Sequence, residues 1–287
     1  MSKDVERPLF EHLTELLIRL RISLFAILAS SFIVSAIPAN LIIPLFNPDY
    51  NYTSGTSSFY DPLVFYVMRR IERDMLDFSR EPMLSLARIL DIENVKPRLI
   101  AHGWFDTFIT SFYIGLLMGL IVASPIMGYE IYKFLEPALY PHEKRFLKSF
   151  VFSFVTLFSI GIVYAYLYLL PITFLMMLWL SVSSGAEPIF SIRSFFYTVF
   201  LGLAVTGLFF TYPILMVLLV KFDIITPETL RKQWRYVLVG TLVVTAAITP
   251  DPTPVSMLML SLPFMLLYFT ALLFSELVYR KKRKSSS

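Results

Sequence analysis

Six runs of residues without a formal charge shape this chain: Ile22 to Pro48, Thr107 to Tyr129, Ser149 to Ile192 (interrupted near its end by Glu187), Ser194 to Val220, Tyr236 to Pro250 and Pro252 to Ser275. A helix needs about 20 apolar residues to cross a hydrocarbon core roughly 30 Å thick. Five of the runs meet that length. Tyr236 to Pro250 has only 15 residues, about 22 Å at a rise of about 1.5 Å per residue. Bounded by Arg235 and the Thr249-Pro250-Asp251-Pro252 turn, it is expected in thinned bilayer or beside water. With 56% hydrophobic residues and 27 Phe, the chain is too apolar for a water-facing surface. The expected fold class is therefore all-α, a polytopic membrane protein with six transmembrane helices. We see no internal repeat of the kind that marks inverted-topology transporters.

The net charge of +4 does not point to nucleic acid, because the bases lie in short clusters between the apolar runs, where they set orientation. Lys3, Arg7, Arg19 and Arg21 precede the first run, and Lys133, Lys144, Arg145 and Lys148 separate the second from the third. Lys221, Arg231, Lys232 and Arg235 separate the fourth from the fifth, and Arg280 to Lys284 form the tail. All four clusters fall on one side of a six-span topology, which predicts both termini in the cytoplasm. Ile22 to Val34 followed by Ser35-Ala36-Ile37-Pro38-Ala39 has the outline of a signal peptide, but Asp4, Glu6, Glu11 and Glu15 upstream argue against it. The chain thus reads as one transmembrane domain over 1–287. It has a cytoplasmic amphipathic N-terminus at 1–21 and a basic cytoplasmic tail at 280–287 that is simplest as a solvated end, with contact to anionic membrane lipid as the alternative.

The first outer loop, residues 49–106, is an insert. Leu63, Val64, Val67, Met68, Ile71, Met75, Leu76 and Phe78 share roughly one helical face, with Arg69, Arg70, Arg73, Asp74 and Asp77 largely elsewhere. One or two amphipathic helices are expected, lying on the outer membrane surface or capping the bundle. The simplest reading of them is a small exposed hairpin with no binding role.

Catalytic motifs are missing from the sequence: no P-loop, no H-E-x-x-H, no G-x-S-x-G, and no Cys for a disulfide or thiolate metal site. His12, His102 and His142 are spread over both predicted faces, so neither an enzyme, a cofactor nor a metal site is expected. What remains is charge at the cytoplasmic boundary. Glu11, Glu15 and Arg19 share one helix face at i, i+4, i+8, and Glu143 lies in the basic second-to-third connection. Carboxylates so placed can hold guanidinium groups through two parallel hydrogen bonds. Spacing alone favours a plainer outcome, in which Glu15 pairs with Arg19 and Glu143 with a neighbouring base as surface salt bridges. Glu130 and Glu276, near the ends of their spans, are close enough to the interface to snorkel. Trp234 suits an aromatic belt, and Pro125, Pro171 and Pro213 are expected to bend helices.

Four segments, in order, carry a family resemblance. Glu11-His12-Leu13-Thr14-Glu15-Leu16 with Arg19-Leu20 resembles the H-L-x-E-L-x-x-R-L opening of the TatC family, the core of the twin-arginine protein translocase. Also similar are Ser124-Pro125 through Phe134-x-x-Pro137-Ala138-Leu139-Tyr140-x-His142-Glu143-Lys144-Arg145, Leu230-Arg231-Lys232-x-x-Arg235-Tyr236, and Thr249-Pro250-Asp251-Pro252. The resemblance implies a concave six-span bundle in the cell membrane. It implies a receptor for folded cargo whose N-terminal signal peptide has consecutive arginines, held by Glu15 and Glu143 with Glu11, His12 and Arg19 beside them. Pro137, Tyr140, Glu130, Thr211 and Asp251 are further candidates on the matched segments. Implied partners are small single-span subunits of the TatA/TatB type in a homo- or hetero-oligomer, with energy from the proton-motive force. Three departures stand out: Thr211 where a fourth-span Glu or Gln is common, Leu17 where Arg is common, and a longer first outer loop. The alternative function is a secondary transporter of a small solute, which the lack of mid-span charge disfavours.

Overall fold

In a computed structural model, residues 9–46, 61–78, 81–135, 147–221, 225–248 and 254–285 are described. The helices are α1 (Leu9–Ala36), α2 (Ala39–Phe46), α3 (Leu63–Leu76), α4 (Met83–Ile89), α5 (Asp106–Leu135), α6 (Leu147–Tyr164), α7 (Leu170–Ser183), α8 (Ile192–Phe210), α9 (Tyr212–Lys221), α10 (Pro227–Ile248) and α11 (Pro254–Ser285). Two short strands, β1 (Arg98–Ile100) and β2 (Ile189–Ser191), accompany them. Among the described residues, five helical stretches are long and apolar enough to cross a membrane: Leu13–Ala36, Asp106–Phe134, Ser149–Ser183, Ile192–Lys221 and Met257–Tyr279. The helix α10 is not among them, because its first turns carry Glu228, Arg231, Lys232 and Arg235 ahead of the short apolar run. Phe25 and Phe32, two turns apart on α1, are 72% and 78% exposed. A stripe of that kind suits lipid and would be costly in water.

Prolines inside spans leave carbonyls without their helical N–H partner, and in hydrocarbon each needs another donor. Pro125 frees the carbonyl of Ile121, and the Ser124 hydroxyl donates to it at 2.8 Å. Pro263 frees the carbonyl of Met259, and the Tyr164 hydroxyl, arriving from α6, donates to that oxygen. Near Pro171 the helix widens into a π turn at Ala165–Leu169, so that α6 and α7 form one continuous rod through the proline. Pro213 acts differently. The helix α8 ends at Phe210 and α9 starts at Tyr212, which puts Pro213 in the first turn of α9, where a missing N–H breaks no helical hydrogen bond.

The insert is packed into the molecule, which corrects the reading of a small exposed hairpin. On α3, Leu63, Val64, Met68, Ile71 and Met75 are buried; the last four share one apolar cluster with Ile114 and Leu117 of α5 and Ile172 and Leu175 of α7, while Leu63 packs with Ala39 and Ile43 of α2. The helical face read from the sequence is real, and what covers it is the bundle. A polar latch reinforces it: the Tyr166 hydroxyl, on the π turn, donates to Asp74 Oδ2 at 2.7 Å, and Arg70 Nε donates to the same oxygen at 2.9 Å. Two further ties were not expected. Asp61 and Leu63 exchange backbone hydrogen bonds with Ala39 and Ile37, filling the gap that Pro38 leaves between α1 and α2. The strand β1 pairs in parallel with β2, Leu99 opposite Phe190, joining the insert to the α7–α8 connection.

Candidate functional site

The site forms where α1 and α5 run side by side in opposite directions. Their approach is set by small residues: a Cβ placed on Gly119 would lie 2.6 Å from the backbone nitrogen of Ser31 and 2.7 Å from the carbonyl of Ile27. One turn away, a Cβ on Gly115 would meet the Ser35 hydroxyl at 2.4 Å. At Gly119, where the neighbours are backbone atoms, only glycine permits this contact, the small-xxx-small packing that lets helices associate in lipid. With Ser35 against Gly115 and Ser31 against Gly119, the register is set. About three turns further along both helices, Arg19 faces Glu130.

Arg19 is the hub of the cluster. Its Nη1 donates to Glu130 Oε2 at 3.1 Å, while its Nη2 stands 3.7 Å from Glu15 Oε1, beyond hydrogen-bonding reach. The Glu130 side chain is 8% exposed, against 21% for Glu15 and 28% for Arg19. Arg19 Nε is buried and has no hydrogen-bond partner among the described residues. The ion pair expected from i, i+4 spacing forms, and beside it Arg19 gives a hydrogen bond to a carboxylate 111 residues away. In the sequence Glu130 is a candidate on a matched segment and close enough to the interface to snorkel, with no partner assigned to it. The signal that would have placed it is the spacing of Gly115, Gly119 and Glu130 along α5, close to whole helical turns, matched by Ser35, Ser31 and Arg19 along α1.

Glu11 and His12 belong to the start of α1, on the same helix as Glu15. Pro137, Tyr140, Glu143 and Asp251 lie outside the described residues. The segment bearing Glu143 leaves the end of α5 beyond Glu130 and re-enters at α6, and Tyr132 and Phe150 join those two helix ends with ring centroids 5.7 Å apart. Thr211 is buried, and its hydroxyl donates to the Leu208 carbonyl at 2.7 Å, so it finishes α8 locally. Among the described residues no group of three His, Cys, Asp or Glu is placed to hold a metal ion. A cavity of about 530 Å³ between α7, β2 and α8, lined by Phe174, Phe195, Ser181 and Thr198, belongs to the other end of the bundle.

The family model described as "Sec-independent protein translocase protein (TatC)" matches residues 11–263. The Sec-independent protein translocase protein TatC of Aquifex aeolicus is 28% identical over 278 residues, covering 96% of this chain and 98% of that protein. An uncharacterised tatC-like protein of Cyanidium caldarium is 36% identical over 172 residues, 60% of this chain and 72% of that one. The chloroplastic translocase protein of Pisum sativum is 34% identical over 67% of this chain, which spans only 53% of its length. Among solved structures, a crystal structure of a twin-arginine translocase receptor superposes with a TM-score of 0.67 at 27% identity, covering 93% of this chain and 99% of that one.

Proposed function

The chain belongs to the TatC family and is a multi-pass membrane component of a Sec-independent protein translocase, and on that premise we propose that it is the receptor and core subunit that binds twin-arginine signal peptides and exports folded proteins. The observation that carries this reading is the cluster on the first turns of α1, where the one-fifth exposed carboxylate of Glu15 and the carboxylate of Glu130 flank the Arg19 guanidinium. Arginine fits such a site better than lysine, because its planar fork offers several directed donors where an ammonium is a point charge. Glu143 supplies the second carboxylate, with Glu11 and His12 flanking, so that two adjacent guanidiniums meet two acids. In this reading all of 1–287 serves one transmembrane domain of six spans, with α10 as the short fifth and both termini in the cytoplasm of the cell. Small single-span subunits join it, and the proton-motive force drives transport. The match along nearly the whole length of a twin-arginine translocase receptor supports the same role.

Photo-crosslinking a signal peptide to the protein in membranes tests it. A peptide with Arg-Arg is expected to label the protein, one with Lys-Lys to label it about tenfold less, and Glu15→Ala with Glu143→Ala to abolish labelling. Equal labelling by both peptides, or full labelling of the double variant, rejects the receptor assignment.

A further inference from the structure

Phe174, Met177, Leu178 and Ser181 repeat at i, i+3, i+4 and i+7 along α7, the spacing of a single helix face. Ser191, Ser194, Phe195 and Thr198 repeat in the same way from the end of β2 into α8. Stripes of this kind ordinarily pack against a neighbouring helix, yet both line the cavity of about 530 Å³ at the end of the bundle opposite Arg19. The third wall comes from the insert: Leu76 and Phe78 at and just past the end of α3, and Pro97 ahead of β1. We propose that this cavity is a binding site for one acyl chain of a membrane phospholipid, which completes the packing between the insert and the α7–α8 corner.

Protein interiors are close-packed, and a void of this size calls for an occupant. Water is a poor one, because the lining has ten apolar residues against five that bear only a hydroxyl. One of those hydroxyls, that of Ser184, is spent on the Ser181 carbonyl at 2.7 Å. No lining residue carries a charge, so neither an ion nor the arginines of a signal peptide find a counter-charge there. A helix about 10 Å across would fill 530 Å³ with roughly one turn, so the span of a partner protein does not fit.

Location selects the lipid chain. One membrane-spanning stretch ends at Ser183 and the next begins at Ile192, which places the cavity at the level of one leaflet. It follows α7 from Phe174 to Ser184, about 15 Å at a rise of about 1.5 Å per residue, half of a hydrocarbon core roughly 30 Å thick. Its mouth opens towards that leaflet, since Leu180 and Ile189 line it and are each 45% exposed. Phe174 and Phe195, both buried, stack with ring centroids 4.6 Å apart and brace its wall. A flexible chain only a few atoms wide, entering past Leu180, meets apolar atoms along its length and leaves its glycerol end beside the exposed Ser184 and Ser194.

The test places the purified full chain in phosphatidylcholine nanodiscs doped with a phosphatidylcholine that carries a diazirine on one acyl chain. After irradiation, labelled peptides are located by mass spectrometry. Labelling is expected to concentrate on residues 174–198, about threefold or more above the lipid-facing stripe of α1 around Phe25 and Phe32. Ser181→Phe with Thr198→Leu fills the cavity and is expected to lower labelling there about tenfold, the loss of contact with as few as two methylenes, while α1 is labelled as before. Labelling of 174–198 no stronger than that of α1 overturns the proposal, and so does a filled variant labelled like wild type. Labelling that disappears when a signal peptide is added assigns the cavity to cargo and overturns it too. Should the filled variant fail to fold, as judged by thermal unfolding and gel filtration, Ser184→Phe at the exposed mouth decides: reduced labelling of 174–198 supports the site, and unchanged labelling rejects it.

Discussion

Glu15 shows how much of a residue's role depends on its competitors. Its type and its place before the first span are plain in the sequence, and so is its neighbour Arg19. That Arg19 turns to Glu130 depends on a helix that begins more than 80 residues later, and no local rule contains it. A simpler carboxylate, Glu72 on α3, gives a prediction that turns on burial alone. Desolvation pushes its carboxyl pKa up, because a low-dielectric surrounding disfavours the charged form. With the folded pKa above the unfolded one, folding is favoured most when the group is protonated, and that contribution is lost as pH rises through the folded pKa. Glu72→Gln, neutral at every pH, is therefore expected to raise the thermal midpoint at pH 7 and to leave it unchanged near pH 4. Melting curves in detergent across that range check it, and a gain that persists at pH 4 argues for repacking instead.

Among the elements, the antiparallel pair α1–α5 carries the most consequence, because its register determines which charges meet. A Cβ on Gly115 would lie 3.7 Å from the Cβ of Ser35, close to the separation of about 3.8 Å across a disulfide. The chain has no cysteine of its own. Ser35→Cys with Gly115→Cys is expected to close a disulfide in air without a catalyst, seen as a reductant-sensitive mobility shift. Slipping one helix by a single residue separates the two positions and abolishes it. The same pair explains why the long first loop tolerates its length. The helix α3 extends the apolar cluster of α5 and α7, and hydrogen bonds at Pro38 and Asp74 pin both of its ends. From periodicity the apolar face of α3 was legible. Its cover was not, since an amphipathic helix looks the same whether a bilayer or a protein buries it.

For the molecule as a whole, orientation is the property that everything else requires, and exposed positions report it. In intact cells a membrane-impermeant maleimide is expected to label Ser85→Cys on α4 and Ser184→Cys after α7, and to spare Gln233→Cys on α10 until the membrane is opened. Labelling of Gln233→Cys from outside reverses the topology and puts Glu15 in the wrong compartment. The five long apolar spans and the helical face of α3 were readable from residue order. Each follows from hydropathy, charge or period along one segment, quantities that need no knowledge of what lies across the fold. The partner of Arg19, the donors that satisfy the carbonyls of Ile121 and Met259, and the β1–β2 ladder were settled by packing. Such contacts join residues that are distant in the chain, and each depends on the register in which close-packed helices come together, where a shift of one residue is enough to choose a different partner.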